Sequence, residues 1–360
     1  MRQNVHIIGA GLLGGSIALA LSEARWAVSI EDETPELTQL SLKSLAIVNP
    51  SRSDSDIDVV IIAVPSSVNK DTILAAFRRY LNAIIIEISS VKTNSLPDVH
   101  SNEQVFERFV STHPFAGKEV HGAEHASVDL FQNRVWAVCR GSYLSTKAKE
   151  TAESVIRDCG AVAIDIELSE HNKIVGLTSH LPQVLSTLLS IQMEELPDRA
   201  LVFSGNGLKD MTRLAMSSSE IWSEIIINNA ENLTEILEKL TGFMASLQHA
   251  LEKKDSKEIQ KLFQRGLNQK IRMPGKHGDV LKDYAKIEIQ ILDKPGELSR
   301  IFAVAHENNV NIEDVRINHT LGRNLAILEI YVSPDVAATF AETLQSNDWK
   351  VRGNLAKGEL

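Results

Sequence analysis

The residues best suited to chemistry lie in a few short stretches of the first 120 positions. Gly9-Ala10-Gly11-Leu12-Leu13-Gly14 directly follows a strand-like apolar run and opens a helical pattern. In that context a G-x-G-x-x-G spacing points to a dinucleotide site. Gly9 permits the tight turn, Gly11 lets the backbone approach a pyrophosphate, and Gly14 lets the helix pack close to the strand. The helix start at Leu12 and Leu13 offers unpaired N–H groups and partial positive charge to the phosphates. About 20 residues on, where an acid should meet the ribose hydroxyls, stand Glu31 and Asp32; Asp32, where the second strand should end, is preferred. A carboxylate there repels a 2′-phosphate, which favours NAD over NADP. Val64-Pro65-Ser66 ends a later strand and is expected to line the same cofactor, because ligands sit beyond the carboxyl ends of such strands. Ser89-Ser90-Val91-Lys92 and Ser111-Thr112-His113-Pro114 follow further apolar segments. His113 is the member of this set suited to accept a proton near neutral pH.

The elements that must position these residues follow from periodicity. Apolar, β-branched runs at 5–8, 27–30, 58–64, 83–88, 134–138 and 161–166 alternate with helical patterns, which predicts a parallel sheet covered on both faces. From 169 to about 266 no strand pattern appears. A helical pattern runs over 169–189. Trp222, Ile225, Ile226, Asn229, Leu233, Ile236, Leu237, Leu240, Met244, Leu247 and Leu251 then keep i, i+3/i+4 spacing, predicting one unusually long amphipathic helix that packs in a bundle or against a second subunit. Residues 273–279 are turn-rich and read as a linker. The last stretch reads strand–helix–strand–strand–helix–strand, the ferredoxin-like βαββαβ plan. The expected fold class is an α/β Rossmann-type domain over 1–167, an all-α domain over 168–272, a linker over 273–283 and an α+β ferredoxin-like domain over 284–360.

The ordered set Gly9–Ser16, Ser90-Val91-Lys92, His113-Pro114-Phe115-Ala116-Gly117-Lys118-Glu119, Ser179-His180-Leu181-Pro182, Gly207-Leu208-Lys209-Asp210-Met211-Thr212-Arg213 and Ile221-Trp222 resembles the prephenate dehydrogenase family, over roughly 270 residues. The resemblance implies a reaction. NAD takes hydride from the ring carbon that bears the hydroxyl of prephenate, the ring carboxylate leaves as carbon dioxide, and 4-hydroxyphenylpyruvate forms. It also implies roles. His113 hydrogen-bonds the ring hydroxyl and Ser90 lies near it and the nicotinamide. Arg213 binds a substrate carboxylate, which suits a guanidinium because it pairs bidentately and stays charged. Glu119 and Asp210 organise that arginine and the site entrance, Lys209 adds positive charge, and Trp222 and His180 border the pocket or pack the helices. One departure stands out: members often read His-Leu-Pro-His, whereas this chain reads His180-Leu181-Pro182-Gln183. Gln183 hydrogen-bonds but carries no charge, which keeps arogenate, the amino analogue, open as a substrate.

Asp293-Lys294-Pro295-Gly296-Glu297-Leu298, followed by Asn311-Ile312, resembles an ACT domain. That resemblance implies an amino-acid effector, tyrosine, held at the turn and the helix start; a purely structural or dimerising module is the alternative. A non-catalytic amino-acid sensor would require loss of the serine, histidine and arginine set, yet Ser90, His113 and Arg213 are present. The formal net charge of -10 argues against a nucleic-acid binder while leaving room for a local cationic site. His113, His121 and His125 lack the cysteine or acid pattern of a metal site. The 2 cysteines supply no disulfide framework, the start shows no signal-peptide pattern, and the longest apolar runs fall short of a membrane span. A cytoplasmic homodimer is expected.

Overall fold

The computed structural model describes residues 3–45, 47, 53–92, 107–117, 122–141, 144–273, 284–319 and 324–358. Contacts divide the chain into two compact units, 1–241 and 242–360. In the first, strands β1 (Asn4–Ile8), β2 (Ala27–Glu31), β3 (Val59–Ile62), β4 (Ile84–Glu87), β5 (Phe109–Pro114), β6 (Val135–Arg140) and β7 (Val162–Glu167) form one sheet in the order β2-β1-β3-β4-β5-β6-β7. Every residue of β3, β4 and β5 is buried, the pattern of strands covered on both faces. Helices α1 (Leu12–Glu23), α2 (Pro35–Leu45), α3 (Ser66–Arg79) and α4 (Thr146–Asp158) accompany this sheet. The Ser145 hydroxyl caps α4 by accepting from the Ala148 N–H, and Ala148, Ala152, Val155 and Ile156 make its buried stripe.

The sheet corrects the expected all-parallel arrangement. β5, which contains His113, is itself a strand, and β6 runs antiparallel to it before β7 returns parallel to β6. A parallel return needs a crossover of a dozen or more residues, usually helical. Among the described residues between β5 and β6 the only helical element is the short 3-10 turn Ala123–His125, so the chain comes back in the opposite sense.

The helical part begins with α5 (Leu168–Val175), passes through a π turn (Gly176–His180) and continues as α6 (Leu181–Ile191). Pro182 lacks the N–H that would continue the α ladder, and the wider turn just before it accommodates the loss. By length and composition the run Leu168–Glu195 could cross a bilayer, with mean hydropathy 1.3 in its most apolar window. That corrects the expectation that no apolar run reaches such a length. Here the run carries buried His171, His180, Gln183 and Ser186, each of which makes at least one hydrogen bond inside the protein. α7 (Asn206–Thr212), α8 (Ser219–Asn228), α9 (Ala230–Glu252) and α10 (Ser256–Lys270) follow. The single long helix expected across 222–251 is therefore two. It breaks at Asn229, whose backbone leaves the helical region at φ -116 and whose side chain is 2% exposed.

In the second unit β8 (Tyr284–Leu292), α11 (Glu297–Glu307), β9 (Ile312–His319), β10 (Leu325–Val332), α12 (Pro334–Ser346) and β11 (Lys350–Gly358) follow in βαββαβ order. The four strands form an antiparallel sheet in the order β11-β8-β10-β9. Ile287, Ile289 and Ile291 alternate inward with Leu328 and Ile330 against Ile301, Phe340 and Leu344. The expected linker, Met273 apart, lies outside the described residues.

Candidate active site

β1, β3, β4 and β5 run parallel, so the turns after them and the end of β5 share one edge of the sheet, where open α/β sheets bind ligands. Gly9 follows β1 with φ +99; a Cβ on it would lie 2.4 Å from the Ala63 carbonyl oxygen. A Cβ on Gly14 would lie 1.9 Å from the Gly9 carbonyl oxygen, so only glycine brings α1 this near β1. A Cβ on Gly11 would meet nothing within 4 Å. Gly11 is also the N-cap of α1, and no side chain caps that helix. Leu12 and Leu13 form its first turn. The Asp32 carboxylate lies at the end of β2 and accepts from the Ala10 N–H at 2.8 Å, tying the acid to the glycine turn. Glu31, the alternative acid, is occupied by Arg79 at 3.1 Å and His6 at 3.3 Å. Val64 packs beside Gly9, Pro65 caps α3 and Ser66 begins it. The next amide, Ser67 N–H, donates to the Glu224 carboxylate of α8.

The centre of the site lies below Ser89-Ser90-Val91-Lys92. Lys92 and Glu87 are buried as an ion pair 2.6 Å apart. The Lys92 ammonium also donates to the carbonyls of Ser89 at 2.7 Å and Thr112 at 2.6 Å. The Ser89 and Ser111 hydroxyls donate to the Glu87 carboxylate. Despite its burial, Glu87 is held below the usual carboxylate range by Lys92 and these hydroxyls. Ser90, next in sequence to Ser89, is half-buried. Ser111 and His113 project from the same face of β5, as the strand period of two requires.

His113 is 8% exposed. Its Nδ1 lies 3.0 Å from Nε2 of His171, and Phe115 stacks on its ring at a centroid separation of 4.5 Å. Burial, then the positive charge of Lys92, pushes its pKa well below the ordinary imidazole value. His171 is pushed down to about 4, burial again first and Lys92 second. His171 Nδ1 meets Asn172 Oδ1 at 3.1 Å. Asn172 pairs with the Lys92 backbone: the Lys92 N–H donates to Oδ1 at 2.8 Å and the Lys92 carbonyl accepts from Nδ2 at 2.5 Å. Asn229, at the helix break, donates from Nδ2 to the Asn172 carbonyl at 2.8 Å and lies 3.0 Å from His180 Nδ1. His180 lies edge-on to Trp222 at 6.1 Å and is pushed down to about 4 by burial. His113, His180 and Trp222 thus gather around one polar network. Its other members, Glu87, His171, Asn172 and Asn229, were not singled out from the sequence as site residues. His171 and Asn172 carried no local signal beyond a helix start.

Gln183, expected as a substrate contact, is buried and donates from Nε2 to the Leu214 carbonyl at 2.8 Å, while Ser186 accepts from the Ala215 N–H at 3.1 Å. These two bonds fasten the short turn that opens with Arg213 onto α6, so in this arrangement Gln183 positions the arginine's segment. Arg213, Lys209 and Asp210 are exposed on that turn and on α7. Glu119 lies outside the described residues. In the second unit Gly296 holds the left-handed conformation at φ +86 that opens α11. Asp293 meets His319 at 3.1 Å and Asn311 donates to Glu313 at 2.7 Å. Glu297 is buried, with Trp349 donating to its carboxylate at 2.8 Å; its carboxylate faces the core of the unit. Pro295 and Leu298 flank the turn, and Ile312 begins the edge strand β9.

Two family models match this chain: "Prephenate dehydrogenase, nucleotide-binding domain" over residues 18–165 and "Prephenate dehydrogenase, dimerization domain" over 167–265. A prephenate dehydrogenase of Lactococcus lactis is 26% identical over 330 residues, covering 88% of this chain and 89% of that protein. A prephenate dehydrogenase of Bacillus subtilis is 25% identical over 352 residues, covering 93% of each. The crystal structure of prephenate dehydrogenase from A. aeolicus, in complex with hydroxyphenyl propionate and NAD+, aligns with a TM-score of 0.65 at 23% identity, over 75% of this chain and 98% of that one. Fold, site and both family models agree: the chain is an enzyme of the prephenate dehydrogenase family.

Proposed function

We propose that this enzyme catalyses the NAD-dependent oxidative decarboxylation of prephenate to 4-hydroxyphenylpyruvate. The observation that carries the reading is the buried His113, bonded to His171, at the same carboxyl edge of the sheet that holds the glycine turn after β1. The residues fit NAD. Gly11 leaves the helix start unobstructed on its outer side, the amides of Leu12 and Leu13 open α1, and Asp32 borders the turn where a 2′-phosphate would be repelled. Gly9, Gly14, Val64, Pro65, Ser66 and Ser90 complete the cofactor contacts. When bound, NAD accepts the hydride lost from the hydroxyl-bearing ring carbon. His113 accepts the hydroxyl proton, which it can do because it is uncharged near neutral pH. The aromatic ring gained on loss of carbon dioxide drives the reaction forward. Arg213 pairs with a substrate carboxylate, Lys209 adds positive charge, and Glu119 and Asp210 order the entrance. His180 and Trp222 border the ring.

The cofactor domain spans 1–167, the helical substrate and dimer domain 168–272 and, after a linker over 273–283, an ACT regulatory domain spans 284–360. The βαββαβ order and the left-handed Gly296 turn support the last assignment, and tyrosine is its proposed effector, held near Asp293, Pro295, Gly296, Glu297, Leu298, Asn311 and Ile312. The protein acts as a homodimer: Phe203, Met216 and Ile227 are apolar and largely exposed in the single chain, where a partner would cover them. Cys139 and Cys159 are free and buried, which suits a reducing cytoplasm. A second reading, arogenate or dual specificity, rests on Gln183 in place of the second histidine of the family pattern.

Steady-state assays with prephenate and arogenate, each with NAD and NADP and with or without tyrosine, test the reading. Prephenate with NAD should give the highest kcat/KM, and tyrosine should lower it. Preference for arogenate would transfer the assignment to the second reading. Inhibition by tyrosine that survives removal of residues 280–360 would place tyrosine in the active site.

A further inference from the structure

The polar network behind His113 has a direction, because its far end is fixed by backbone. An amide N–H can only donate and a carbonyl can only accept. The Lys92 N–H and the Lys92 carbonyl, both bonded to the Asn172 side chain, therefore force Oδ1 to be the acceptor end of that amide. Asn172 Oδ1 also faces His171 Nδ1, so His171 must carry its proton on Nδ1. A neutral imidazole has one donor and one acceptor nitrogen. His171 Nε2 is then a lone pair, and the His113 Nδ1 beside it must hold a proton to complete the bond. This leaves the second lone pair of the relay on His113 Nε2. Among the described residues no hydrogen bond engages that atom. Burial and Lys92 keep both rings uncharged, as the tautomer argument requires.

We infer that Asn172 and His171 are positioning residues that fix the tautomer of His113, holding its proton on Nδ1 so that Nε2 is always the base. The inference deepens the proposed reaction and rests on it for the role of His113. It rests on the hydrogen-bond geometry alone for the tautomer. An isolated neutral imidazole exchanges between its two N–H forms; in one of them Nε2 carries a proton and cannot accept another from a hydroxyl.

The test uses the full chain labelled with nitrogen-15 in its histidines, read by long-range proton–nitrogen correlation, which separates the two neutral tautomers. The His113 signals are identified by their loss in His113→Ala. In the wild type His113 should be protonated on Nδ1. In His171→Leu the Nε2–H form of His113 should become populated, and kcat should fall in proportion to the Nδ1–H fraction that remains, with the KM for NAD within about twofold of wild type. His171→Gln, which offers a carbonyl oxygen to the Nδ1–H, should restore the Nδ1–H form and raise kcat above that of His171→Leu by the same ratio as the Nδ1–H fraction. A wild-type His113 protonated on Nε2, or a His171→Leu protein with tautomer and kcat unchanged, overturns the inference. If His171→Leu does not fold, the wild-type spectrum and His171→Gln decide it. The spectra need no substrate. A correct tautomer in a protein inactive on both prephenate and arogenate would therefore sink the proposed reaction and leave the relay standing.

Discussion

Lys92→Met removes one member of a fully buried ion pair and leaves Glu87 as an uncompensated carboxylate. Breaking such a pair from one side costs about 3–5 kcal/mol, because the remaining charge is desolvated without a partner. For a unit of 241 residues that corresponds to a fall of about 6–20 °C in Tm, at 2–4 °C per kcal/mol. Glu87→Gln strands the ammonium instead and should cost about as much, so independent effects would sum to about 6–10 kcal/mol. The double variant leaves no buried charge. It strips a donor only from the Ser89 and Thr112 carbonyls, at about 1–3 kcal/mol each, or about 2–6 kcal/mol in all. The assay is equilibrium unfolding followed by tryptophan fluorescence in a Trp349→Phe background, where Trp26, Trp136 and Trp222 all report on the first unit. Costs that add to within about 0.5 kcal/mol would refute the pairing. A kinetic consequence accompanies it. Lys92 is the second cause, after burial, of the depressed His113 pKa. Losing its charge lets His113 protonate at higher pH, so the acid limb of kcat/KM should move up in pH; a downward shift or none would mean that Lys92 does not act on His113.

Gly14→Ala would place a Cβ 1.9 Å from backbone and should cost about 1–3 kcal/mol, visible as a lowered Tm. Gly11→Ala, whose Cβ meets nothing within 4 Å, should leave Tm unchanged yet weaken NAD binding in calorimetry; equal melting losses would contradict this division. His171 and His180 are pushed from about 6.5 in the unfolded chain to about 4 when folded. The unfolded state therefore binds more protons below pH 6.5, and stability is lost as pH falls from there towards 4, at about 1.4 kcal/mol per pH unit for each ring. Denaturant midpoints at pH 7 and pH 5 should differ accordingly, and a flat profile would show that these histidines are not neutral in the fold. Arg213→Ala should raise the substrate KM at least about tenfold, the worth of one charge-assisted bond, with NAD affinity unchanged; an unaltered KM would remove Arg213 from the carboxylate site.

Much of this was legible locally. The glycine turn, Asp32 at the end of β2, the buried Val and Ile runs and the βαββαβ order of the second unit all follow from patterns that span a few residues. Turn chemistry and side-chain period act at that range. His113 could be nominated from its residue type and its place after an apolar segment, but its state could not. His171 and Asn172 lie 58 and 80 residues from the groups they hold, His113 and Lys92, and nothing in their own neighbourhood marks them. The same holds for Asn229, whose place in an apolar stripe predicted an unbroken helix although its amide is used to tie α5 to the π turn. It holds for Gln183, whose Nε2 is tied to a backbone carbonyl 31 residues away while its buried Oε1 meets no partner among the described residues. The antiparallel β6 likewise depends on the path between two strands, not on the composition of either. Most strands, the helices around them and the phosphate-binding turn were readable from short stretches of the sequence, because those choices are made largely by neighbours; the strand that carries His113 and the break at Asn229 were not. Only the tertiary structure decided which buried polar groups meet, and hence which nitrogen of His113 is left free to accept a proton, because a hydrogen-bond partner is assigned by topology and not by spacing.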